Sequence, residues 1–218
     1  MTNRHSLPVL ALATGTLLAS AAPARAQANL QNYVALGDSL TAGLGVAPDE
    51  AWPARLQARL RREGWDYRVV NAGVSGDTTA GGLRRLDWVL RTDPSLVIVA
   101  LGANDGLRGQ RVDVMRDNLT AIIERLRARG ARVLLAGMRM PPNYGAAYTR
   151  EFAAAFGEVA RRTNVALMPF LLEGVAAVPA LNQVDGIHPN AEGQRLIAEA
   201  IWPYVKPLLE APAVRRGS

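Results

Sequence analysis

An α/β domain built on a parallel sheet is the fold class predicted by the 218-residue sequence. Three observations predict it. Short runs rich in β-branched residues alternate with longer segments of helical periodicity. The most apolar run, Leu96 to Leu101, has no polar face, as a strand covered on both sides requires. The residues able to do chemistry fall in the loops after the strands, where sites form in such sheets.

In chain order, residues 1–26 read as a signal peptide. Arg4 and His5 give a positive start, Leu7 to Ala19 is a short apolar run, and Ala24-Arg25-Ala26 supplies small residues at the positions a signal peptidase reads. The run is shorter than the roughly 20 residues of a membrane span. Ala26-Gln27-Ala28 is an alternative cleavage site. Residues 27–218 then form a single domain, of ordinary size for one core.

Tyr33 to Leu36 reads as a first strand ending at Gly37. Ala51 to Arg62 reads as a helix, with Trp52, Leu56 and Leu60 at spacings of four. Tyr67 to Val70 is the second strand, followed by the turn-like Asn71-Ala72-Gly73. Leu83 to Leu90 reads as one helix with Leu83, Leu86 and Leu90 facing the core. After the apolar strand at Leu96, Val112 to Arg129 is a long helix that Gly130 is placed to end. Val133 to Ala136 is a fourth strand, Ala146 to Arg162 a helix, and Val165 to Met168 a fifth strand. Pro189 to Leu209 is a closing helix that Pro203 should kink or divide, and Ala211 to Ser218 a frayed tail.

Composition narrows the chemistry. There is no cysteine, which excludes a disulfide scaffold, a thiolate nucleophile and a Cys-bound metal. The positive charge is almost all arginine, with Lys206 the single lysine, and the arginines alternate with Asp and Glu along helices. That pattern is a solvated face rather than a nucleic-acid stripe. The leader holds Arg4, Arg25 and no acidic residue, so its removal takes the formal charge from +6 to +4 (6 − 2). It also removes His5, leaving His188 as the one histidine of the mature chain.

Acyl transfer needs a nucleophile, a base, an orienter for the base, and donors for an oxyanion. Ser39 in Gly37-Asp38-Ser39-Leu40 lies at a strand-to-helix turn, as a nucleophile should. His188 is the base that remains, and Asp185 precedes it by three residues, with Gly186 free to make the tight turn between them. The backbone N–H groups of Ser39 and Gly73 and the side-chain amide of Asn104 are candidates for the oxyanion hole. Asp38 and Asp105 read as loop organisers. Tyr144, Leu107, Leu171, Leu172 and Val175 either line an acyl pocket or pack ordinarily. With His188 as sole base, activity should rise with pH through a single ionisation.

In four blocks, Ser39, Gly73, Asn104 and His188 follow the order and spacing of the GDSL family, also called SGNH hydrolases, which the chain resembles from about Tyr33 to Leu209. Leu101 to Gly109 and Met140 to Gly145 resemble the bacterial periplasmic thioesterase/arylesterase/lysophospholipase group more narrowly. The match departs at Ala103, where that group often has a second glycine. The Gly-x-Ser-x-Gly elbow of α/β-hydrolases is absent. The resemblance implies a flavodoxin-like three-layer sandwich with strand order 2-1-3-4-5, no metal and no organic cofactor. It implies a serine esterase acting on small to medium acyl esters or thioesters, including arylesters and lysophospholipids. Such a protein is exported, binds no nucleic acid and has no stable membrane insertion once the leader is gone. A carbohydrate acetylesterase is the alternative enzyme, and an acyl-binding protein without catalysis the alternative of another class.

The leader gives the first prediction. N-terminal sequencing of the soluble, active protein from its host should read from Gln27 or Asn29. A sequence starting at Met1 or Thr2 would remove the leader assignment.

Overall fold

The computed structural model describes Met1 and residues 31–211. The predicted signal peptide beyond Met1, and the predicted tail beyond residue 211, lie outside the described residues. Five parallel strands form one sheet in the order β2-β1-β3-β4-β5. They are β1 (Gln31–Gly37), β2 (Tyr67–Gly73), β3 (Pro94–Ala100), β4 (Arg132–Ala136) and β5 (Ala166–Met168). Helix α2 (Trp52–Arg62) packs against α8 (Ala191–Glu210), while α6 (Val112–Ala128) packs against α3 (Thr79–Arg84) and α7 (Ala146–Thr163). The result is the three-layer sandwich and strand order implied by the resemblance.

The apolar pattern explains the layers. Tyr33, Val34, Ala35 and Leu36 of β1, and Leu96, Val97, Ile98 and Val99 of β3, are fully buried. Both strands have neighbours on each side and helices over each face, so neither can carry a polar residue there. Trp52, Leu56 and Leu60 bury one stripe of α2. Leu171, Leu172 and Val175 are buried with the rest of the core, which leaves them no part in an acyl pocket.

Two helices differ from expectation. Leu83 to Leu90 is broken at Arg85 into α3 and α4 (Leu86–Arg91), with Leu86 and Val89 buried while Leu83 and Leu90 are only partly so. Conversely, α8 runs unbroken through Pro203 and Pro207. Both prolines are exposed, as is Glu199 one turn before Pro203. The carbonyls that lose their intrahelical donors therefore face water, which removes most of the penalty for an internal proline.

Strand register sets up the site. Gly37 pairs with Gly73 of β2 and with Ala100 of β3, so three strands end at one level. Beyond this edge lie α1 (Ser39–Ala42), a single turn, and α5 (Ala103–Leu107). The adjoining β1/β3 boundary is the topological switch point of a sheet in this order, where such folds place their ligands.

Gln194 ties the closing helix to this edge. Its side chain is buried, accepts from Trp52 N–H at 2.9 Å and donates to the Leu40 carbonyl at 3.3 Å. Gln194→Ala should strand both backbone groups and lower stability by about 2 kcal/mol. Urea unfolding should show a reduced midpoint at an unchanged slope.

Candidate active site

Asp38 begins the site by capping α1. Its Oδ1 accepts from Leu40 N–H at 3.0 Å, which fixes Ser39 as the first helical residue. Ser39 is buried, with 8% of its surface exposed. Because α1 has only four residues, it offers an anion the local N–H groups of one turn rather than a full helix dipole. The Ser39 N–H has no acceptor among the described residues.

His188 and Asp185 come from one tight turn. Gly186 sits at φ +70°, a conformation that suits glycine. Asp185 Oδ1 accepts the N–H groups of Ile187 at 2.9 Å and His188 at 3.0 Å, while Oδ2 lies 2.7 Å from His188 Nδ1. His188 Nε2 lies 3.0 Å from Ser39 Oγ. The His188 N–H, the imidazole and the Ile187 N–H together pull the Asp185 carboxyl down to about 2, so it is ionised and accepts the Nδ1 proton. That leaves Nε2 as the acceptor facing the serine hydroxyl. Gln183 holds this turn against α1. Its Nε2 donates to the Leu44 carbonyl at 2.6 Å and the Pro189 carbonyl at 3.1 Å.

Asn104 reaches the site from α5. Its Nδ2 donates to Asp38 Oδ2 at 3.3 Å, leaving its second proton for another acceptor. Burial pushes the Asp38 carboxyl up from 3.8 to about 6, against the lowering pull of Leu40 N–H, Asn104 and His188. Asp105 takes both donors of Thr79, N–H at 2.8 Å and Oγ1 at 2.6 Å, and so moors α5 to α3. Both aspartates are loop organisers in this geometry.

Gly73 is placed differently from its expected part. Its N–H donates to Asn71 Oδ1 at 2.9 Å, and Asn71 Nδ2 donates to the Thr41 carbonyl at 2.9 Å. A Cβ at Gly73 would collide with the backbone nitrogen of Ala42, so glycine here lets α1 lie directly on β2. Further along the same loop, the N–H of Gly76 has no acceptor among the described residues. The Gly76 carbonyl accepts from Arg108 Nη2 at 2.9 Å, which joins this loop to the end of α5.

Several supporting residues escaped the sequence reading. Tyr148, Phe152 and Phe156 pack ring against ring along one edge of α7, and Tyr144, already singled out in the sequence, stacks on Tyr148 from the turn before that helix. Phe156 packs against Gly102 and Phe152 against Gly106, on either side of Asn104, and Tyr148 Oη donates to the Gln110 carbonyl at 2.9 Å. Their spacing of four was the available signal. Tyr144 Oη donates to the Leu107 carbonyl at 3.1 Å. Gln183 had no local signal, since its partner Leu44 is 139 residues away. Among the described residues no group of three or more His, Cys, Asp or Glu side chains converges as a metal site would.

The same arrangement has known counterparts. The profile of the GDSL-like Lipase/Acylhydrolase family matches residues 35–196. The chain is 48% identical to Esterase TesA of Pseudomonas aeruginosa over 184 residues, 84% of this chain and 92% of that one. It is 41% identical to an arylesterase of Vibrio mimicus, over 78% of this chain and 86% of that one. Against Thioesterase 1/protease 1/lysophospholipase L1 of Escherichia coli the identity is 38%, over 94% of each. The crystal structure of TesA superposes with a TM-score of 0.80, covering 82% of this chain and 99% of that one at 48% identity. With a matched profile over most of its length and relatives of this identity, the chain belongs to the GDSL-like lipase/acylhydrolase family and is a carboxylic ester hydrolase.

Proposed function

We propose that the protein is an exported serine esterase that hydrolyses small to medium acyl esters, thioesters, arylesters and lysophospholipids through an acyl-enzyme on Ser39. The relay from Asp185 through His188 to Ser39, at 2.7 and 3.0 Å, carries the reading. His188 Nε2 takes the hydroxyl proton as Ser39 Oγ bonds to the acyl carbon. The imidazolium is stabilised by Asp185 and gives that proton to the departing alcohol or thiol. Water then attacks the acyl-enzyme, losing a proton to the same nitrogen, and Ser39 is released with a carboxylic acid.

In this reading the oxyanion is held by the Ser39 N–H and the free proton of Asn104 Nδ2. A backbone N–H of the β2–α3 loop completes the hole. Gly73 would serve only by releasing Asn71, so the unpaired N–H of Gly76 takes the part expected of it. Exposed Leu44, Val74, Leu107, Val184 and Ile187 sit in the same loops, which supports an apolar acyl group over a sugar. Export rests on the leader. No helix among the described residues is long and apolar enough to cross a membrane.

Replacement of the serine is the direct test. Ser39→Ala should lower hydrolysis of p-nitrophenyl acetate by at least about a thousandfold with the fold intact. A folded variant retaining a tenth of the activity would exclude Ser39. Asn104→Ala should cost roughly 10²–10³ in kcat. The loss should spare KM, because the oxyanion exists only near the transition state.

The acid limb should report two protons where the sequence suggested one. As pH falls, Asp38 gains a proton near 6 and gives up its charged hold on Asn104, in addition to the ionisation that any general base requires. Wild-type kcat/KM should therefore fall more steeply below about pH 6 than one ionisation allows. In Asp38→Asn the limb should relax to a single proton at a lower plateau. A one-proton limb in the wild type would show that Asp38 does not act on turnover.

A further inference from the structure

Arg85 lies at the joint between α3 and α4, outside the triad and its donors, at φ −96°, ψ 7°. Its guanidinium makes three hydrogen bonds. Nη2 donates to the Gly37 carbonyl at 2.9 Å, Nη1 to the Ala72 carbonyl at 2.8 Å, and Nε to Asp77 Oδ2 at 2.6 Å. The side chain retains 22% of its exposure and Asp77 only 10%. Gly81, one turn along, makes room for the pair, since a Cβ there would collide with the Asp77 carboxylate.

The two carbonyls are at a critical place. Gly37 ends β1 two residues before Ser39, and its carbonyl also accepts from Val74 N–H at 3.0 Å. Ala72 is the penultimate residue of β2, just before the loop that carries Gly76. The β1–β2 ladder stops at Gly37 and Gly73, and beyond it no strand pairing holds one loop to the other. Fixed planar N–H groups bridge the strands where the ladder ends, a geometry that a point-charge ammonium cannot reproduce. A cation withdrawn from water needs partners to offset its desolvation, and here they are the strand-end carbonyls and one carboxylate.

We propose that Arg85, anchored by Asp77, is a positioning residue for the oxyanion hole. It locks the ends of β1 and β2 at a fixed separation, so that the Ser39 N–H and the N–H of the β2–α3 loop converge on one point. This rests on the serine-hydrolase reading above. A donor displaced by an ångström loses most of its preorganised stabilisation, so the loss should appear in kcat.

The test compares Arg85→Lys, Arg85→Ala and Asp77→Asn with the wild type on p-nitrophenyl acetate, with melting temperatures measured alongside. In Arg85→Lys, kcat should fall about 10²-fold while KM stays within about threefold. Asp77→Asn keeps the cation but frees it, and should lower kcat about tenfold. Millimolar guanidinium should restore part of the Arg85→Ala turnover and leave the wild type unchanged. A folded Arg85→Lys with kcat within about twofold of wild type, or a loss confined to KM or to melting temperature, overturns the proposal. If Arg85→Lys does not fold, Asp77→Asn decides on the same criteria. The parent reading fails separately, by an active Ser39→Ala. An unaffected Arg85→Lys beside an inactive Ser39→Ala removes the positioning role alone.

Discussion

Gly37 has Gly73 on one side and Ala100 on the other, and from that shared level three chains leave the sheet into the site. Ser39 follows the first, the Gly76 loop the second and Asn104 the third. The separation of the groups is thus inherited from the 4.7–4.9 Å spacing of strands in general. Small residues at the rim keep that inheritance intact. Cβ atoms at Gly37 and Gly73 would strike Thr41 and Ala42, pushing α1 off the sheet. A site on loops gains the rigidity of a core in this way, because the loops carrying Ser39 and Asn104 depart from buried strands and the third from the strand paired beside them.

The carboxylate next to Ser39 shows the opposite economy. Burial lifts Asp38 to about 6, so the folded chain holds that proton more tightly than the unfolded one. The sign follows from linkage. As pH rises from 3.8 to about 6 the unfolded state releases its proton first, and stability declines over that window. The penalty at neutral pH is on the order of 3 kcal/mol for a shift of this size. The same ionisation strengthens the hold on Asn104, so stability and the fixing of that side chain pull in opposite directions across one titration.

Much of this was legible in the sequence. The strand at Leu96 could be read because burial on both faces leaves an uninterrupted apolar run, and α2 because its stripe repeats every four residues. Ser39, Asp185 and His188 could be read because each lies in a short motif, and because the sequence beyond residue 26 holds one histidine. The departures share a cause, which is that each is decided by tertiary surroundings rather than by local pattern. At the break between α3 and α4, Arg85 reaches carbonyls on β1 and β2, the nearer 13 residues away and the other 48. The turn-like reading of Asn71 to Gly73 did not show that the Asn71 side chain takes the Gly73 N–H while tied to Thr41. Pro203 was read by its local effect alone, without the solvent exposure that relieves it.

Asp185 and His188 occupy the two ends of a single four-residue turn that closes on its own hydrogen bonds. Where a base and its orienter stand on distant strands, their alignment depends on the whole intervening structure. Here it is a property of the turn itself, and only the reach from Nε2 to Ser39 is left to the rest of the molecule. The pair is in that sense a cassette. Drift in the sheet, the helices or the surrounding loops can alter which esters fit while the Asp185–His188 turn passes on unchanged. A fold so divided between a transferable turn and an adjustable rim is suited to diversify its substrates without rebuilding its chemistry.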